Sequence, residues 1–154
     1  MNRKDILRAF GSLMRDAGFT ARGENYGRAW AEITWFVKAE AIPRTARVGL
    51  QVGIALEALN GEGRRPRNVM ECQIMLIPTG QPFGLNRRES EHALDEESGF
   101  RDEQRLEQLV KIVKAIDRLS REVTTLSELR TMAAEGRIFG RGQVLPAAAA
   151  LLSV

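Results

Sequence analysis

Cys72 and His92 are the only cysteine and the only histidine in the chain. Any thiolate nucleophile, imidazole base or zinc centre would have to be built from them. Zinc wants three or four Cys or His ligands, so no metal site is expected. Cys72 sits inside an alternating apolar stretch, "NVMECQIMLI". Cysteines in such places pack as small apolar residues, and a buried, unreactive thiol is expected. No serine stands in a nucleophile-elbow pattern, and a histidine-based triad could run only through His92. The acidic run Glu89, Glu91, Asp95, Glu96 and Glu97 lacks the spacing and central glycine of a calcium loop. It reads as a solvated charged segment. Glu32, Glu57 and Glu71 offer another chemistry, because two close carboxylates raise one pKa and could do acid–base work. Scattered surface glutamates are the simpler account. No catalytic residue and no cofactor is assigned.

Two stretches could meet phosphates. "GRIFGRGQ" at 136–143 offers Gly136, Gly140 and Gly142. It follows a helical pattern rather than a strand, so the nucleotide-binding context is missing and a helix stop and turn is expected. "GRRPR" at 63–67 is the densest basic cluster, and Arg44 and Arg47 lie one strand connection earlier. In a meander, successive turns fall at opposite ends of the sheet, so the two groups are separated. Without a continuous basic stripe, only weak, salt-dependent nucleic-acid binding is expected.

The chain has 154 residues, 44% hydrophobic and 28% charged, which suits one globular domain with its own core. Its net charge is +3, from 23 basic and 20 acidic residues. A lone cysteine excludes an intrachain disulfide and fits a reducing cytoplasm. "MNRKDILRAFGSLMRDAGF" does not read as a signal peptide. No apolar run approaches the roughly 20 residues that span a bilayer, so no membrane partner is expected.

Ile6, Leu7, Phe10, Leu13, Met14 and Ala17 recur at helical spacing, with Asn2 as a cap and Gly18 as a stop. A helix is predicted over 3–17. Strands are predicted at about 22–29, 31–41, 46–59 and 68–77, with a hairpin signal at Asn60-Gly61. Residues 79–101 read as a long, mobile or functional loop. Helices follow over 102–123, from the capping box Thr125-Leu-Ser-Glu128 to Gly136, and over 145–152. The expected fold is α+β: an N-terminal helix, a four-stranded antiparallel meander sheet, and C-terminal helices packed on one face.

Alternation then sorts the strand residues. Val48, Leu50, Val52 and Ile54 line up with Ile33, Trp35, Val37 and with Met70, Cys72, Ile74, Leu76 on the helix side. The other side collects Glu32, Thr34, Phe36, Lys38, Gln51, Glu57, Glu71 and Gln73, with Gly49, Gly53 and Ala55 down its middle. These small residues are expected to line a shallow open trough, where another backbone or a flat ligand could approach closely. A solvated face whose glycines allow curvature is the alternative.

"LMRDAGFTARGENYGRAWAEITWFVKAE", "RVGLQVGIAL" and "ECQIMLI" together resemble the domain of unknown function 4304 family over about residues 6–77. Its members similarly run helix, "GF", a basic-x-Gly…Tyr hairpin, an extended strand, a glycine-bearing strand and a Cys-containing strand. Where relatives often carry Gln-Lys-Ser, this chain has Val37-Lys38-Ala39. Where they often carry arginine after the Cys strand, it has Leu76 and Ile77. Some relatives resemble immunity proteins of toxin systems. The resemblance thus implies a protein partner and no known activity.

The function expected is that of a small cytoplasmic binding module without catalysis of its own, binding another protein in an immunity-type pairing. One alternative is a small-ligand binder or hydrolase using carboxylates of the open face. A second is a weak nucleic-acid binder through Arg64, Arg65 and Arg67.

Overall fold

Asn2 and Asp5 close the first turn of α1 (Arg3–Asp16). The Asn2 side chain accepts from the Asp5 N–H at 3.0 Å, and the Asp5 carboxylate accepts from the Asn2 N–H at 3.1 Å. A computed structural model describes residues 1–61, 63–78, 82–138 and 144–153. After α1 comes an antiparallel meander of β1 (Thr20–Arg22), β2 (Asn25–Ala29), β3 (Ile33–Ala41), β4 (Val48–Leu56) and β5 (Ile74–Leu76), paired in chain order. The helices α2 (Arg87–Ala93), α3 (Asp102–Glu122), α4 (Leu126–Ala134) and α5 (Pro146–Leu152) follow. The α+β class and its order are as expected, with five strands instead of four.

Three local differences have physical causes. The strand expected at 22–29 is a hairpin, because Gly23 takes φ +59° and turns the chain between β1 and β2. The Asn60-Gly61 hairpin does not form: Asn60 is extended, at φ −83° and ψ 145°, where a two-residue hairpin turn needs positive φ. The chain instead makes a 3-10 turn at Glu57–Leu59, a wide excursion, and a second 3-10 turn at Val69–Glu71 before β5. The fourth predicted strand therefore shrinks to Ile74–Leu76, and Met70, expected in the core, is 78% exposed.

The stretch expected to be a loop over 79–101 contains α2, capped by the Asn86 side chain on the Glu89 N–H at 3.0 Å; residues 79–81 lie outside the described residues. Its end is bound from two sides. The Val48 N–H donates to the Leu94 carbonyl at 2.7 Å. From α3, buried Arg105 donates to the carbonyls of His92, Ala93 and Asp95 at 3.1, 2.8 and 2.8 Å. A cation at a helix C-terminus is favourable.

The large core joins one face of the sheet to the helices. Ile33, Trp35, Val37, Val52, Ile54, Ile74 and Leu76 pack with Ile6, Phe10 and Met14 of α1 and with Leu109, Ile112, Ile116 and Leu119 of α3. The Trp35 indole donates to the Val123 carbonyl at 2.8 Å. Val144 and Leu145, just before α5, bond along the outer edge of β5. Among the described residues, no helix is long and apolar enough to cross a membrane.

Candidate functional site

The register of β3 against β4 places Thr34 opposite Ala55, Phe36 opposite Gly53, Lys38 opposite Gln51 and Glu40 opposite Gly49. Thr34, Phe36, Lys38, Gly49, Gln51 and Gly53 therefore share the face turned away from the large core, as the alternation predicts. That face is in two parts.

Over Gly53 and Ala55 of β4 it is covered, and the expected open trough does not exist. Val69, Cys72 and Met75 pack onto Phe36 and Ala55 as a second, small core. A Cβ on Gly53 would stand 2.7 Å from the Cys72 sulfur and 2.8 Å from its Cβ. Gly53 is thus small because another segment lies on it. Gly49 is approached in the same way by Ile42, whose Cγ1 would be 3.1 Å from an added Cβ. Cys72 is buried as expected, but on the face opposite to the predicted one. Burial, and then the nearby Glu71 carboxylate, push its thiol up to about 12.

Over β1, β2 and the start of β3 the face is open, and there the chain forms a cleft of about 1190 Å³. Its floor is Thr20, Asn25, Gly27, Ala29, Thr34 and the Phe36 ring, and Trp30 also lines it. Its wall is the segment between β4 and β5, which brings Arg64, Arg65 and Arg67 to face Arg22 of β1. All four arginines are exposed, and among the described residues none is in an ion pair. Glu57 is the one carboxylate in the described lining.

No protein-family model, curated protein or solved structure matches this chain.

Several of the residues singled out from the sequence hold the cleft wall rather than face a ligand. The Gln73 side chain accepts from the Leu56 N–H at 2.8 Å and donates to Asn60 at 3.5 Å, which pins the start of the wall. The Glu71 carboxylate accepts from the Arg67 N–H at 2.6 Å, and Asn25 of β2 accepts from the Val69 N–H at 3.0 Å, which pins its end. Lys38 pairs with Glu40 at 3.0 Å, and Gln51 is exposed beside it, away from the cleft. Glu32 is drawn off to α4, where it accepts from the Leu126 N–H at 2.8 Å. Glu32, Glu57 and Glu71 therefore serve three different places.

Arg22, Asn25 and Trp30 escaped the sequence reading. A single arginine in a hairpin carries no pattern; only the folding of the "GRRPR" segment over β1 and β2 makes it part of a cluster. His92 packs edge-on against Phe100, with ring centroids 5.4 Å apart, and so belongs to the α2 region. Of the phosphate-loop candidate, Gly136 ends α4 at φ +72°, while Gly140 and Gly142 lie outside the described residues. Among the described residues, no cluster of three or more His, Cys, Asp or Glu is placed to hold a metal ion.

Proposed function

We propose that the protein is a small cytoplasmic binding module that takes another protein at the arginine-walled cleft, with no chemistry of its own. The observation that carries this reading is the cleft itself, whose described lining holds four exposed arginines and one glutamate over a sheet floor. A concave site of this kind on a rigid scaffold is the default place for recognition. The hydrolase alternative would need its carboxylates together, and Glu32 and Glu71 are each committed to a backbone N–H elsewhere. The Cys72 thiol, held up to about 12, is a poor nucleophile at neutral pH. The likeness of residues 6–77 to the domain of unknown function 4304 family, and the immunity-type pairing it implies, belong to the same proposal.

The test is affinity capture from the native host with the full chain, Arg65→Glu/Arg67→Glu and, as a charge-matched control, Arg8→Glu/Arg88→Glu on α1 and α2. One partner protein should be retained by the first and third and lost from the second. Equal capture by all three would overturn the cleft as the binding site.

A further inference from the structure

We infer that the cleft recognises an extended, acidic protein segment, whose carboxylates pair with Arg22, Arg64, Arg65 and Arg67. This rests on the reading of the cleft as a protein-binding site and names what the partner must present there.

Charge is the first argument. Arginine presents a planar fork that matches a carboxylate with two parallel hydrogen bonds, and lysine does not. The described cleft lining holds arginines and no lysine. Elsewhere the chain neutralises many of its arginines internally: Arg28 on Asp117, Arg87 on Glu91, Arg121 on Asp117. Among the described residues none of the four at the cleft is in an ion pair, and together with Glu57 they leave the described lining net positive, which suits an acidic partner.

Shape is the second. At about 1190 Å³ the cleft exceeds the usual range for an enclosed small-ligand pocket, roughly 300–1,000 Å³. Thr20 and Thr34 line it with hydroxyls that can bond a peptide backbone, and Asn25 and Asn60, whose oxygens hold the wall, can still donate from their amide N–H groups.

Nucleic acid shares the anionic chemistry, but two features disfavour it. Single strands are held by rows of aromatic faces on which bases stack. Here Phe36 is only 6% exposed, and Gly27 lies against its ring, with 3.2 Å between an added Cβ and the Phe36 Cε1. Trp30 also lines the cleft, but its indole N–H is held by the Ser120 carbonyl at 2.9 Å. A phosphate backbone also places charge at every unit, so Glu57 would repel it, whereas a protein segment can set a neutral or basic residue there.

The experiment is fluorescence anisotropy with three purified probes of equal length: a labelled peptide of alternating Glu and Ser, the same peptide with Gln for Glu, and single-stranded oligothymidylate. The Glu peptide should bind the wild type, weaken with salt, and lose about tenfold or more in affinity with Arg65→Glu or Arg22→Glu. Arg88→Glu, which changes net charge equally, should bind like the wild type. Circular dichroism and thermal melts check that each variant is folded. Equal losses in Arg65→Glu and Arg88→Glu, no preference for Glu over Gln, or tighter binding of the oligonucleotide would each overturn the inference. If the peptide fails while host capture still depends on Arg65 and Arg67, the acidic segment is wrong and the binding module stands.

Discussion

Arg105 and Arg65 carry the same guanidinium, and the two sides of the sheet use it in opposite ways. On the helix side Arg105 is 2% exposed, with three carbonyls at the end of α2 around it and its Nε unpartnered. Arg28 lies over the Phe19 ring, 4.0 Å from its centroid, and bonds to Asp117, Ser120 and Ala17. Both fasten elements together, and both have given up most of their water. On the cleft side Arg22, Arg64, Arg65 and Arg67 are exposed, and among the described residues their side chains bond to nothing. A buried cation is retained because removing it orphans its partners. An exposed, unpaired one costs little to keep, and four gathered in one cleft are free to meet another molecule. The difference separates arginines that build the fold from arginines that are free to bind.

Substitutions can break that comparison. Arg105→Ala should have the largest effect, about 3–5 kcal/mol of stability, because three carbonyls lose their donor and a cavity opens. Urea melts measure it; a loss below about 1 kcal/mol would mean that α2 is not held by Arg105. Gly53→Leu should come next, at about 3 kcal/mol, at least the loss from Val52→Ala, since the new side chain meets Cys72 and Met75. The same variant should expose Cys72 to a thiol reagent that labels the wild type slowly.

Arg28 supplies a smaller, pH-dependent effect. Burial raises the Asp117 pKa, but hydrogen bonds and charge from Arg28 and Arg121 outweigh it and leave it below the usual carboxylate range. A group depressed in the folded state stabilises above its unfolded pKa, about 3.9, and that stability is lost as pH falls through the folded value. The wild type should therefore lose stability on acidification below about pH 4, and Arg28→Met should lose less over the same range. Parallel pH–stability curves would remove the pair from the fold's electrostatics. The smallest effect on stability should come from Arg64→Ala or Arg65→Ala, within about 0.5 kcal/mol. A loss beyond about 1.5 kcal/mol would show that the cleft arginines build the fold after all.

Much of the scaffold is legible in the sequence because it rests on local rules. Asn2 and Asp5 announce α1, Thr125 and Glu128 announce α4, and the alternation from Val48 to Leu56 marks a strand with one buried face. These signals lie within one or two turns of chain. The α2 helix was hidden because only Ser90 and Ala93 of its residues are buried, too few to make a period. The second face was half legible. Its members were named correctly along β3 and β4, but period two says that a strand has two faces and not what lies on the far one.

The sequence by itself determined the α+β order, the caps of α1 and α4, and the placing of Thr34, Phe36 and Lys38 on one face with Gln51 and Gly53. Only the tertiary structure decided that Val69, Cys72 and Met75 would cover Gly53 and that "GRRPR" would face Arg22 across β2. The physical reason is range. Caps and alternation are set by neighbours a few residues apart, and their energetics can be written from those residues alone. The path of the 57–73 segment is set by Gln73 on Leu56, Asn25 on Val69 and a small apolar contact with Phe36. The Asn25 and Phe36 contacts join β2 and β3 to the turn at Val69–Glu71, far along the chain. A glycine pair also reads the same whether it lies open to water or beneath a sulfur atom.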